Sequence, residues 1–332
     1  MTLSSHINDR RGFVLIAVLL VVVLLAAVLL EFNYETRMSV HLSDNCYRSQ
    51  QALYAAEAGL NLAMAAIAQD ASARPAAVER FLAGGTRVPV GGDAAADATC
   101  TVNVEAENGK LNLLALKSSV GANLVFARPR VDQLLRLIDL LNARRVGPPI
   151  GYGIVPAIID WCDTDDDVTL LPFVEAENEG AENAWYRQLA PPRRCKNAPL
   201  DSIRELLLVK GVTPDVFEDL SEFVTIYGDG KIDINSAPAL VIQCLSEKID
   251  AAAAQAIIDG RPYASLDQLA KVAGIAAEML PALGDVVTVK PEEPCYRIRA
   301  TGTAGEFSRE VSVIVKKNAQ TGAVTVVLRE EP

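Results

Sequence analysis

The sequence predicts an α+β protein: a long N-terminal helix packed on an antiparallel sheet, with a large all-helical domain inserted between the strands. Three observations carry this. No proline occurs between Phe13 and Ala73, and most of that stretch reads as helix. Strand-like alternation is confined to a region near residue 100 and a second from residue 295 onward. Between them, residues 129–289 read as short helices and loops. With 332 residues, half of them hydrophobic, the chain can fill one large domain or two ordinary ones.

The N-terminus comes first. Phe13 to Leu30 are apolar without a Gly, Pro or charge. As a helix they span roughly 27 Å, close to a bilayer core of about 30 Å. Arg10 and Arg11 precede the run, and Glu31 and Glu35 follow it. The excess of positive charge before the run places the N-terminus in the cytoplasm and the bulk of the chain across the membrane. A secretory signal removed by cleavage needs a shorter apolar core and a small-residue site, and Glu31-Phe32-Asn33-Tyr34 offers none. Arg10-Arg11-Gly12-Phe13, running unbroken into the apolar stretch, resembles a type IV prepilin signal. That resemblance implies cleavage by prepilin peptidase between Gly12 and Phe13, with methylation of the new N-terminus and the helix left in the membrane. Such proteins usually carry Glu five residues after the cut; here the residue is Ala17. A carboxylate inside the bilayer is costly unless paired. Its absence fits a subunit with no subunit above it to pair with.

The helix is expected to continue past the membrane. Ser49 to Gln69 is rich in Ala, Leu, Gln and Glu, and Leu53, Ala56, Leu60, Met64 and Ile67 form one apolar stripe. Ser43-Asp44-Asn45 is the candidate interruption. Ala71 to Ala98, rich in Ala, Gly and Pro, reads as a linker. Thr99–Glu105 and Lys110–Leu116 read as a hairpin around Glu107-Asn108-Gly109. Three strands follow at the far end: Cys295–Thr303, Arg309–Lys317 and Ala323–Arg329. The helices expected between them are Val131–Asn142, Leu200–Val209, Asp215–Val224, Ala237–Leu245, Ala251–Ile258, Leu266–Val272 and Ala276–Leu283. Ser202 and Glu205 are spaced for a capping box. The resulting division is a leader (1–12), a transmembrane and long helix (13–70), a first strand region (71–128), the inserted helical domain (129–289) and C-terminal strands (290–332).

Two segments of the insert, Ile234–Leu240 and Ser265–Ile275, resemble helix-hairpin-helix modules, which makes a membrane-anchored DNA receptor of the competence type the alternative function. The chemistry opposes it. Such modules hold phosphate with backbone N–H groups in a Gly-rich turn near basic side chains. The first segment lacks that turn and the second has one Gly too few. From Ile232 to Leu283 the only cations are Lys248, Arg261 and Lys271. A formal net charge of -11 also argues against a non-specific nucleic-acid binder.

That charge is local. Between Val146 and Tyr186 there is no Lys or Arg, while Asp160, Asp163, Asp165, Asp166, Asp167, Glu175, Glu177, Glu179 and Glu182 all fall there. A solvated loop is the simplest account. Catalysis by a carboxylate pair lacks companions: the two histidines, His6 and His41, lie before the expected cut and just past the span, so the chain reads as a non-enzyme. The preferred account is calcium, which takes six to eight oxygens. Asp163, Asp165 and Asp167 alternate as in the opening of a calcium loop. Val168 and Val174 stand where an EF-hand needs Gly and Glu, so the site would be of another kind, drawing on Glu179 or Glu182. The six cysteines include no CxxC pair. Cys162 with Cys195, and Cys100 with Cys295, are open as disulfide pairs, as are free thiols.

Together these segments resemble the general secretion pathway protein K family, the large minor pseudopilins of type II secretion systems. The resemblance rests on Arg11-Gly12-Phe13 with Ala17, on Gln51–Gly59, and on Ile159-Asp160-Trp161-Cys162-Asp163-Thr164-Asp165 followed by Gly180–Tyr186. Asn197–Leu200, Val209–Thr213 and Ile234–Pro238 extend it. It implies a pilin-like fold with an inserted helical domain (SAM-like or helix-hairpin-helix-like) and a place at the tip of a periplasmic pseudopilus. The implied partners are minor pseudopilins I and J, other pseudopilins and the prepilin peptidase, with no nucleic acid. The implied location is the inner membrane, single-pass. It carries calcium over to Asp163, Asp165, Asp167 and Glu182; Glu179 is added here on spacing alone.

Overall fold

The computed structural model describes residues 8–69, 74–90, 98–120 and 123–330; the expected leader residues 1–7 lie outside it. The chain opens with α1 (Asn8–Ala68), α2 (Ala76–Leu82), β1 (Val88–Pro89) and β2 (Ala98–Ala106). Then come β3 (Leu111–Asn112), β4 (Lys117–Val120), β5 (Asn123–Phe126), α3 (Arg128–Asn142), α4 (Ile154–Cys162), α5 (Asn183–Tyr186) and α6 (Pro214–Ser221). The rest is β6 (Val224–Thr225), β7 (Ile232–Asp233), α7 (Ala239–Cys244), α8 (Ala251–Asp259), α9 (Leu280–Val286), β8 (Val287–Thr288), β9 (Cys295–Ala304), β10 (Phe307–Lys317) and β11 (Val324–Glu330).

Helix α1 runs without a break through Ser43-Asp44-Asn45. Among the described residues it is the one helix long and apolar enough to cross a membrane, and its side chains from Phe13 to Leu30 are exposed. Its C-terminal half lies on a five-stranded antiparallel sheet of order β1-β2-β9-β10-β11. The seam is built from small residues. Ala52, Ala55, Ala56 and Ala63 are fully or almost fully buried beside Leu60 and Ile67. Opposite them, on β9, Gly302 lies so close that an added Cβ would overlap the carbonyl of Ala52 and the N–H of Ala56. Backbone-to-backbone contact of this kind maximises dispersion contacts and leaves no room for a side chain.

The insert occupies a hairpin position. β2 and β9 are direct neighbours, pairing Ala106 with Tyr296 and Ala98 with Ala304. Everything from residue 107 to 294 therefore stands where a turn would stand. The expected hairpin around Glu107-Asn108-Gly109 does not form. Those residues are a single 3-10 turn, and Leu111–Asn112 instead pairs in parallel with Val224–Thr225 inside the insert. Leu111, Leu113 and Leu116 are buried in the insert's own core with Leu134, Leu137, Ile158 and Ile242. The apolar alternation there was real, but its burying partner is helical. The linker also holds more structure than expected: α2 buries Phe81 and Leu82, and β1 pairs with β2.

Most expected helices are present, with differences at their ends. Leu200–Val209 is a 3-10 helix, Ile203–Leu208, with the Ser202–Glu205 capping box formed. Leu266–Lys271 is likewise 3-10. Val224 leaves its expected helix for β6. α4 and α5 had no counterpart in the sequence reading; α4 is apolar nearly all round and α5 is one turn long.

The junction between insert and sheet is a buried ion network. Glu107 is fully buried and accepts hydrogen bonds from Lys110 Nζ (2.9 Å), Arg297 Nε (2.8 Å) and Thr225 Oγ1 (2.6 Å). Burial pushes its carboxyl up, but Lys110 and Arg297 outweigh that and hold it below its ordinary value. Asn108 ties both ends of the insert together, donating to Glu293 O and accepting from Cys295 N. The insert leaves the sheet at the C-terminal end of α1. Cys295 pairs with Lys316, and the next residue, Lys317, donates to Ile67 O (2.7 Å). From Leu30 to Ile67 the helix rises roughly 55 Å, so the insert lies far from the apolar segment.

All six cysteines are free. Cys100 and Cys295 cannot bridge: Cys100 pairs with Gly302, near the far end of β9 from Cys295, the first residue of that strand.

Gly302→Ala in the detergent-solubilised chain should cost at least about 2 kcal/mol, because the methyl group overlaps the helix backbone. Gly284→Ala, inside α9 with open space around it, should be neutral or stabilise by up to about 1 kcal/mol. Urea midpoints of the two variants check both directions.

Candidate metal centre

The acidic motif begins on α4. Apolar residues Ile154, Val155, Ala157, Ile158 and Trp161 fix this helix in the insert core. Asp160 lies in its last turn and Asp163 is its C-cap residue. Spaced three apart at a helix end, the two project to one side. The chain then makes a closed loop. Leu170 bridges Glu179, Gly180 N donates to Thr169 O, and buried Asn178 accepts from Leu171 N while donating to Val174 O and Ala176 O. The loop returns Glu182, the N-cap residue of α5, to the end of α4.

Asp160, Asp163 and Glu182 thereby meet, each offering an oxygen within 4.8 Å of the others. They are 0%, 4% and 2% exposed. Asp160 Oδ1 accepts from Thr169 N (3.0 Å). Four other oxygens are buried without a hydrogen-bond partner: Asp160 Oδ2, Asp163 Oδ1 and both oxygens of Glu182. Among the described residues the only cation in ion-pair range is Lys117, 3.7 Å from Asp163 Oδ2. Burial and then the neighbouring acids push Glu182 up to about 8. Asp163 is pushed up to about 6, mainly by burial, with Lys117 opposing. Asp160 is raised by burial, against the hydrogen bonds from Thr169.

The surroundings hold this arrangement rigidly. Fully buried Tyr186 stacks edge-on against Trp161 (5.1 Å) and Trp185 (4.9 Å), and its hydroxyl accepts from Lys210 N. Asn183 accepts from Cys195 N and donates to Asp166. Cys195 Sγ donates to Asp160 O (3.4 Å), so it serves the backbone rather than a disulfide. Glu205, already a capping residue, also binds Lys196.

Of the five expected metal ligands, the structure brings two together, Asp163 and Glu182. Asp165 and Asp167 are exposed on the loop that leaves the centre, with Asp165 Oδ1 turned to Asp167 N. Glu179 is exposed too; the strand bridge that positions Glu182 points Glu179 away. Asp160 was missed. Its three-residue spacing from Asp163 was the available signal, but only with α4 recognised as a helix. Of the expected processing pair, Phe13 is an exposed residue of α1 and Gly12 lies within the same helix.

The donor set suits a hard divalent cation. It consists of carboxylate oxygens, one from each of three residues drawn close together and four in all unpartnered. Isolated burial of such groups costs several kcal/mol each unless they are neutralised.

The two helix-hairpin-helix-like segments serve packing. Asn235 donates to Tyr263 O and Val289 O and accepts from Tyr263 N, while Arg261 donates to Ala237 O. Ile234, Ala237 and Leu240 are buried.

Comparison with known proteins gives a consistent result. Residues 109–229 and 232–290 each match family models described as "Type II secretion system (T2SS), protein K", together covering more than half of the chain. A "Putative type II secretion system protein K" of Escherichia coli (strain K12) is 25% identical over 69% of this chain and 66% of its own length. A "Type II secretion system protein K" of Aeromonas hydrophila is 29% identical over 33% of each. The chain thus spans less than two thirds of either relative. In structure it is similar to a chain of the GspK-GspI-GspJ complex from the enterotoxigenic Escherichia coli Type 2 Secretion System. The TM-score is 0.65 at 20% identity, covering 88% of this chain and 99% of that one, which identifies the fold.

The raised carboxyls set a pH dependence. Without metal, the folded chain keeps protons on Glu182 and Asp163 that the unfolded chain releases near the ordinary values of 4.5 and 3.8. Folding then takes up protons, so this stabilisation is complete below the ordinary values and is lost as pH rises through about 6 and about 8. The urea midpoint in chelator should fall across that window and level off above it. Glu182→Gln, neutral throughout, should flatten the alkaline part of the fall.

Proposed function

The chain belongs to the protein K family of type II secretion systems, and on that premise we propose that it is a minor pseudopilin at the tip of a periplasmic pseudopilus. There it initiates or caps filament assembly and supports the export of folded proteins, without catalysing a reaction. The observation that carries this reading is the position of the insert: a bulky domain in place of a hairpin turn, beside the end of α1 remote from the apolar segment. Filament subunits of this architecture stack through their long helices. A domain standing over the membrane-distal end leaves no place for a subunit above it. Ala17 in the apolar segment agrees, since a terminal subunit has no neighbour whose amine needs a carboxylate.

The partners in this reading are minor pseudopilins I and J, with other pseudopilins below. The anchor is the single span Phe13–Leu30 in the inner membrane, with the remainder in the periplasm. Prepilin peptidase cuts between Gly12 and Phe13, and the new N-terminus is methylated. Coexpressed with the peptidase and with I and J, the chain should be isolated from membranes together with both, with a mass that begins at Phe13. An intact Met1, or failure to copurify with either partner, contradicts the reading.

Calcium is the cation proposed for the centre, held by Asp160, Asp163 and Glu182. Asp165 and Asp167 are near enough in sequence to join only if their loop turns inward. The ion supplies positive charge that lets the carboxylates stay ionised while buried, and its role is structural. At about a hundred times its dissociation constant, such an ion adds about 2.7 kcal/mol of stability. Millimolar calcium should raise the melting temperature of the solubilised chain by several degrees. Asp160→Asn with Glu182→Gln should remove that rise.

A further inference from the structure

Among the described residues, Lys117 is the one cation in ion-pair range of the three buried acids. It is the first residue of β4, directly after Leu116, which is buried in the insert core. Ala127 N donates to Leu116 O and closes the base of the β4–β5 hairpin, so the root of the lysine is fixed. Its side chain is 17% exposed and reaches Asp163 Oδ2 at 3.7 Å. Asp163 thus has two differently used oxygens. Oδ2 faces the ammonium, and Oδ1 is buried and unpartnered beside Asp160 and Glu182.

The charge balance is informative. Three ionised carboxylates and one ammonium leave two negative charges at the centre, the number that one divalent cation neutralises. Without the lysine three negative charges remain, and a trivalent ion becomes the neutral match. We propose that Lys117 is a charge-selectivity residue of this centre, fixing its net charge at the value that favours divalent over trivalent cations. The inference rests on the reading of Asp160, Asp163 and Glu182 as a cation site. Lys117 acts through Asp163 as a positioning residue: it holds Oδ2 and leaves Oδ1 to the ion. It also repels the ion across a few ångströms of protein interior, where charges interact far more strongly than in water.

The test is competition between terbium(III) and calcium on the solubilised full-length chain. Terbium is read by luminescence sensitised through Trp161 and Trp185, which flank Tyr186 beside Glu182. Lys117→Met and Lys117→Gln should each shift the preference toward terbium by about tenfold or more, as expected for removing one close charge. Lys117→Arg should keep the wild-type ratio. An unchanged ratio in both neutral variants, with wild type still binding calcium, overturns the role of Lys117 and leaves the cation site standing. An arginine variant that behaves like the methionine variant also overturns it, because shape rather than charge would then matter. A wild-type chain that binds neither ion overturns the site itself, and this inference with it.

Discussion

A carboxylate taken out of water has to be given a proton or a positive charge, and this fold meets that demand in two different ways. Glu107, at the root of the insert, receives two cations and a hydroxyl from the protein itself, and stays ionised. Asp160, Asp163 and Glu182 share a single lysine, in ion-pair range of Asp163. Their unpartnered oxygens are a constraint on everything around them. α4 ends there, α5 begins there, and the loop between them is folded back for that meeting. The aromatic group of Trp161, Trp185 and Tyr186 is packed behind it. Breaking a buried pair by removing one partner is far more costly than never burying it. In the proposed reading, the centre is therefore stable with a bound cation and weak without one.

The two halves of the molecule are joined with little freedom. One side of the junction is β2, the other is β9, and these strands are paired along their whole length. Asn108 and the Glu107 network clamp the point where the insert departs. On the other face of the sheet contact, α1 meets β9 through alanines and Gly302. A displacement of the insert must therefore be felt by the sheet and by the long helix. In the proposed role this stiffness matters, because the terminal subunit of a filament fixes the position of the subunits below through its helix.

Much of the fold could be read from the sequence, and the reasons differ by element. The apolar segment is marked by its length and composition, the C-terminal strands and the helix α3 have unambiguous periods, and the Ser202–Glu205 capping box is a local signal that the structure keeps. Leu111–Leu116 deceived because its alternation reflects burial against helices, and burial alone does not name the partner. Helix α4 was missed because it is a short, almost wholly apolar run, which sequence alone does not tell from a buried strand. That omission hid Asp160. The alternation of Asp163, Asp165 and Asp167 suggested one ligand loop, but the helix end admits only the first of them to the interior. Glu182 joins through a strand bridge at Leu170 and Glu179, a contact with no sequence signature. The same bridge excludes Glu179.

The most direct test of the central claim is a diffraction experiment on crystals grown with calcium, using a wavelength at which calcium scatters anomalously. The account predicts a peak enclosed by Asp160, Asp163 and Glu182, with oxygens at about 2.3–2.6 Å. A map with no peak among these three residues, while α4 and α5 keep the positions described above, would contradict it.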